Sequence, residues 1–205
     1  MPIQILLFLT VLSFIPAVLI SLTSFTRIVI VFHFLRQALG TNEAPSNQIL
    51  LGLTLFLTLF IMAPVGEQIN RDAIQPMMEG RISQTEALST AIIPLRGFMM
   101  KYTREKDLAL FLSIAKQPRP RNAEEIPTTV MIPAFMISEL KTSFQIGFVL
   151  FLPFLVIDMV VATVLLSMGM MQLPPVMVSI PFKILLFIMV DGWNLVVGSL
   201  VKSFY

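Results

Sequence analysis

Between residues 142 and 201 the chain carries only three charged side chains, Asp158, Lys183 and Asp191. The two apolar runs that hold them meet at an uncharged turn, Ser-Met-Gly-Met-Met-Gln-Leu-Pro-Pro, from Ser167 to Pro175. Loops that join membrane helices normally reach water and display Lys or Arg. A methionine-rich tip without charge therefore predicts a hairpin whose end is buried in protein or lines a closed passage.

The rest of the chain fits that environment. Of 205 residues, 56% are hydrophobic and 13% charged, against about a quarter charged in soluble domains. The composition is that of an integral membrane protein. A net charge of +2 with no basic stripe interleaved with aromatics excludes a nucleic-acid partner. Cysteine is absent, so disulfides and thiolate metal sites are excluded, and the single histidine, His33, cannot build a metal centre within one chain. No cofactor is expected. The 14 methionines and 17 phenylalanines suit lipid contact, close packing or an adaptable seal.

Hydropathy divides the chain into three parts: residues 1–66 with two apolar spans, a polar domain at 67–127, and an apolar hairpin at 128–205. The first span, Met1 to Thr26, has no charged side chain, starts without a basic n-region and continues into Phe25-Thr-Arg-Ile-Val-Ile-Val-Phe-His-Phe, so it reads as a retained helix and not a signal peptide. The second, Ala44 to Gly66, is expected to break near Ala63-Pro64. Arg27 and Arg36 lie between them, which by the positive-inside rule puts the N-terminus and residues 67–127 in the periplasm.

The polar domain holds nine basic and eight acidic side chains, 17 of the chain's 26 charges. Its stretches Ser83 to Met100 and Thr103 to Ala115 have helical amphipathic spacing, with Leu108, Phe111 and Leu112 on one side. Ser83-Gln-Thr-Glu86 reads as a capping box. Lys116 to Pro127 is a polar, proline-interrupted linker. The third and fourth spans are Ile146 to Leu166 and Ile180 to Val201, and no regular internal repeat is visible.

An ionised group at bilayer depth demands a partner or water, so Asp158, Lys183 and Asp191 are the residues to explain. With the hairpin folded about residues 170 to 171, Asp158 and Lys183 fall at similar depth on antiparallel helices, while Lys183 and Asp191 share a helix face. They read first as glue between helices or subunits. A proton relay, and with it a proton-coupled small-solute transporter, is the alternative. Met168, Met170 and Met171 suit a plastic seal, with Gly169 as a hinge and Pro174-Pro175 as a stop. Phe144, Phe148, Phe151 and Phe154 recur at helical spacing and are expected to face lipid or a partner. His33 reads as an interfacial helix residue. No zinc-protease motif, serine-nucleophile motif or glycine-rich phosphate loop is present.

Five segments together resemble the FliP/SctR family of type III secretion export-gate proteins: Thr23-Ser-Phe-Thr-Arg-Ile-Val-Ile-Val-Phe32, Leu35-Arg-Gln-Ala-Leu-Gly-Thr41, Pro45-Ser-Asn-Gln-Ile-Leu-Leu-Gly-Leu53, Pro133-Ala-Phe-Met-Ile-Ser-Glu-Leu-Lys-Thr-Ser-Phe-Gln-Ile-Gly-Phe148 and Pro181-Phe-Lys-Ile-Leu-Leu-Phe-Ile-Met-Val-Asp-Gly-Trp193. Asp191-Gly-Trp and the ending Gly198-Ser-Leu-Val-Lys-Ser-Phe-Tyr205 look flagellar more than injectisome. The resemblance implies an all-α export-gate subunit, not an enzyme, in the bacterial inner membrane at the flagellar basal body. Five copies would join FliQ and FliR, contact other export-apparatus subunits and membrane lipid, and enclose a pore for unfolded flagellar proteins. In that family the hairpin tip supplies a methionine gasket, matched here by Met168, Met170 and Met171, with Gln172 standing where relatives often carry another methionine. The resemblance also implies contact between Glu139 and Lys183, which competes with the pairing of Lys183 and Asp158 unless Lys183 is shared across a subunit boundary. It further implies that hydropathy spans need not all cross the bilayer.

Overall fold

The computed structural model describes residues 13, 16–41, 44–117, 120, 122, 125–170 and 172–205. Most of the first apolar span, Met1 to Thr26, lies outside them. Among the described residues the fold is helical, without strands. In chain order the helices are α1 (Pro16–Leu22), α2 (Phe25–Leu39), α3 (Asn47–Ile69), a π-helical turn (Asn70–Ile74), α4 (Gln75–Met78), α5 (Gln84–Tyr102), α6 (Glu105–Ile114), α7 (Thr128–Ser167), α8 (Pro175–Met189) and α9 (Gly192–Lys202). Two helical stretches are long and apolar enough to cross a membrane, Asn47–Met78 and Thr128–Ser167, or up to four if each of two bent pairs forms one span.

The helices fall into two compact units, residues 1–26 with 58–141 and residues 27–57 with 142–205. The long helices α3 and α7 each contribute to both. Pro64 sits inside α3, so the expected break at Ala63-Pro64 does not occur. Proline forfeits one hydrogen bond, but within an apolar helix the remaining bonds hold the chain because no water competes for them. The irregularity comes later, as the π-helical turn, where Ala73 is buried. Likewise α7 begins 18 residues before the predicted third span and runs 40 residues through Pro133 and Pro153.

In the first unit, Ser83 caps α5 by accepting a 3.2 Å hydrogen bond from the Glu86 N–H, as the capping-box pattern predicts. Phe98 meets Phe135 edge-on at 6.0 Å. Val130, Met131, Ala134, Phe135 and Ser138 are buried on the first turns of α7, the i, i+3, i+4, i+7 spacing of one helix face. Arg96 ties α5 to the entry of α7 by donating to the Thr128 hydroxyl and, at 2.7 Å, to the Ile126 carbonyl. On α6, Leu108 and Leu112 are buried and Phe111 is half-buried.

Asp107 is the electrostatic centre of this unit. Ser138 donates to its Oδ2 at 2.6 Å and Arg104 Nε at 2.7 Å, while the Arg104 N–H donates to Ser138 Oγ at 3.0 Å. Burial pushes the Asp107 carboxyl up, but the Ser138 and Arg104 hydrogen bonds and the Arg104 and Lys141 charges outweigh it, so its pKa lies below the ordinary value. A carboxylate held this way contributes stability that is complete above its unfolded pKa, about 4, and lost as pH falls through the lower folded value. The stability advantage of the wild type over Asp107→Asn should therefore shrink as pH falls below the ordinary carboxyl value of about 4. Denaturant midpoints measured across that range check it. A constant difference would mean the network does not favour the charged form.

The second unit packs around α2, where Ile28, Val31, Phe32 and Leu35 are buried along one stripe. Phe32 and Phe187 both meet Trp193 edge-on, at 6.4 and 5.4 Å. Phe154, grouped by sequence with the outward-facing phenylalanines, is instead 5% exposed and pairs with Phe187 at 6.4 Å. Phe144 and Phe148 are exposed, and Phe151 is half-buried.

The predicted fourth span is two helices, with α8 and α9 bent by 66°. Asp191 at the bend adopts a left-handed conformation, φ 51° and ψ 52°, so it leaves α8 and does not share a helix face with Lys183. Packing at the bend is close, since a Cβ on Gly192 would lie 2.2 Å from the Phe187 ring. Gly192→Ala should thus cost about 1–3 kcal/mol by displacing that ring. Gly198→Ala is the matched control, since its Cβ would meet only Asn194 Oδ1 at 4.0 Å. Equal melting temperatures for the two variants would show that the ring moves freely.

Candidate functional site

The hairpin of α7 and α8 is built by three local signals. Gly169 stands just past α7 with φ +74°, and its N–H donates to the Leu166 carbonyl at 3.0 Å while the Met170 N–H donates to Leu165 at 3.0 Å. This is a Schellman cap, which needs the left-handed conformation that glycine adopts without steric cost. Pro175 opens α8 at its first turn, where a missing N–H costs nothing. Pro174 is extended, with φ −67° and ψ 115°. The sequence thus stops one helix and starts the next within a few residues.

The tip projects its side chains outward. Met168 is 66% exposed and Met170 43%, and Gln172, Leu173 and Pro174 are exposed too. Met171 lies outside the described residues. Apolar side chains this exposed at a turn, with no charge beside them, form a surface suited to closing against other protein or against copies of itself.

Farther down the hairpin the charges are gathered and neutralised. Lys183, 1% exposed, places Nζ 2.7 Å from Asp158 Oδ2. Ser179, one turn before Lys183 on α8 and fully buried, donates to the other carboxylate oxygen, Asp158 Oδ1. Both oxygens of one carboxylate on α7 are therefore held by two donors from successive turns of α8. Gly40, in a left-handed turn after α2, packs beside this cluster, and a Cβ there would lie 3.1 Å from Ile180 Cγ1 and 3.9 Å from Lys183 Nζ.

Of the other residues singled out from the sequence, Asp191 is exposed at the α8–α9 bend and Glu139 is fully buried on α7. His33 is exposed on α2. Arg27 is not a loop charge. It is 3% exposed, donates to the Ser203 carbonyl and hydroxyl at 3.0 and 2.9 Å, and lies 3.8 Å over the Phe204 ring. It anchors the end of the chain and carries no weight in the positive-inside argument. Sequence reasoning missed Ser179, whose i−4 spacing from Lys183 was the available signal. Among the described residues no three His, Cys, Asp or Glu side chains converge as metal ligands would.

An all-helical membrane protein built around a charge-neutralised hairpin with an apolar tip is the class these features define. The FliP family model matches residues 8–200, and the chain belongs to the FliP family. It is 59% identical to the flagellar biosynthetic protein FliP of Bacillus subtilis (strain 168) over 98% of this chain and 91% of that protein. Similar proteins of the same name occur in Pectobacterium carotovorum subsp. carotovorum, 53% identical over 99% of this chain and 79% of the relative, and in Aquifex aeolicus (strain VF5), 51% identical over 98% and 85%. The solute-transporter alternative finds no support. Two of its three charges neutralise one another, and the third, Asp191, lies on a different element.

Proposed function

We propose that this chain is a pore-building subunit of the flagellar type III secretion export gate in the bacterial inner membrane. The observation that carries this reading is the match to FliP proteins along nearly the whole chain, joined to an exposed, charge-free methionine tip. Several copies, five by resemblance, assemble with FliQ and FliR at the basal body and contact other export-apparatus subunits and lipid, with residues 67–127 on the periplasmic side. The subunit performs no chemistry of its own. Met168, Met170 and Met171 close the pore at rest, and an unfolded flagellar protein displaces them when driven by other parts of the machine. Opening requires that the tip make different contacts in the closed and the filled states. Glu139 and Lys183 are both shut off from the surface of the single chain, so they act as buried charges within the subunit and not as a bridge between copies.

Co-expression with FliQ and FliR, followed by purification and native mass measurement, tests this assignment. The expected product is one complex with several copies of this chain, and cells lacking the chain should secrete no flagellar proteins. A chain that purifies only as a monomer, with export intact in its absence, would contradict it.

A further inference from the structure

The polar cluster inside the hairpin is not symmetric, and the asymmetry has a mechanical consequence. Lys183 Nζ has the Asp158 carboxylate at 2.7 Å and is almost wholly shut off from water. Separating that pair strands an ammonium in an apolar setting, which is costly. Ser179 is different. Its single hydroxyl proton has two acceptors within reach, Asp158 Oδ1 across the hairpin and the Val176 carbonyl on its own helix at 2.8 Å. If the two legs part at Ser179, the hydroxyl turns to Val176 and stays satisfied.

Position along the hairpin gives these two contacts different tasks. Ser179 lies one turn nearer the tip than Lys183. Asp158 and Lys183 sit about 12–14 Å from the helix ends at the turn, at 1.5 Å per residue. An apolar groove of about 420 Å³ runs along α7 and α8 from the level of Asp158 and Lys183, where Val156, Ile157 and Phe182 line it, towards Val164 and Leu165 near the tip. The legs are therefore held by polar bonds at the level of Asp158, with an apolar groove alongside.

We infer that Asp158–Lys183 is the fixed pivot of the hairpin and Ser179 a releasable stay on its tip side, so that Ser179 is a positioning residue setting where the methionine tip rests. A fixed pivot confines movement to the last turns of each leg and leaves the packing around Phe154 and Phe187 undisturbed. This deepens the export-gate reading and rests on it for its biological meaning, but the mechanics can be measured without a pore.

The absence of cysteine lets paired labels be placed cleanly on the full-length chain in lipid nanodiscs. One pair, Leu166→Cys with Met177→Cys, straddles the tip side. The other, Leu152→Cys with Met189→Cys, straddles the hairpin below the pivot. All four residues are exposed. In pulsed electron-spin distance measurements, Ser179→Ala should shift the tip pair to longer and broader distances and leave the lower pair unchanged, and Ser179→Thr, which keeps the hydroxyl, should restore the tip distribution. An unchanged tip pair, or equal broadening of both pairs, would overturn the inference. If Ser179→Ala does not fold, the near-isosteric variants Ser179→Thr and Ser179→Val make the same comparison, with the broadening expected only in the second. A normal tip response with no effect of the methionines on ion leak would leave the pivot standing and remove the gasket.

Discussion

Asp158→Ala is expected to be among the most damaging single substitutions in the hairpin, costing about 3–5 kcal/mol. The asymmetry of the pair decides this. The Lys183 side chain is 2% exposed and that of Asp158 is 23%, so removing the carboxylate strands the group that has no access to water. Lys183→Ala leaves a carboxylate that is partly hydrated and still holds the Ser179 hydrogen bond. Its cost should be smaller, though still enough to lower the yield of assembled complex. The double variant Asp158→Leu with Lys183→Met removes both charges and keeps the volume, and should lie within about 1–2 kcal/mol of the wild type. Thermal unfolding of the detergent-solubilised chain ranks the three. Should Asp158→Ala melt with the wild type while Lys183→Ala alone fails to assemble, the lysine's essential partner is another carboxylate, with Glu139 the first candidate.

The ranking could not have been written from the sequence, which places Asp158 and Lys183 at one depth but does not say which is better shielded. Features that depend on short-range chemistry were legible. The N-cap at Ser83 acts within a turn of chain, and the structure bears it out; Gly169, read as a hinge, and Pro174-Pro175, read as a stop, are found as the C-cap of α7 and the start of α8. The charge-sparse hairpin was legible for the same reason, since composition alone makes an uncompensated charge there costly.

What escaped the sequence depends on distant partners. Pro64 reads locally as a helix breaker, yet α3 passes through it. At the Asp191 bend the Phe187 ring lies where a side chain on residue 192 would have to be, a contact no hydropathy window contains. Arg27 looks like an orientation signal until Ser203 and Phe204, far away in sequence, are found against it. Ser179 is one hydroxyl in an apolar run, and only the position of Asp158 gives it a task.

Replacing Met168, Met170 and Met171 together with alanine should leave the complex assembled but open its resting pore to ions. The fold of the subunit is spared because Met168 and Met170 are exposed in the single chain and contribute little to its own packing. Closure is not spared. Each Met→Ala change removes apolar contact worth about 1–2 kcal/mol, and a loss of about 1.4 kcal/mol in a two-state balance already changes the ratio tenfold. The seal is thus expected to leak at least tenfold more in the triple variant, whereas Gln172→Met should tighten it or leave it unchanged. The decisive measurement is single-complex conductance in a planar bilayer, comparing purified wild-type and triple-alanine complexes of equal mass. A silent wild type beside a conducting variant is the predicted result; a variant as tight as the wild type would contradict the central claim and return these methionines to ordinary packing.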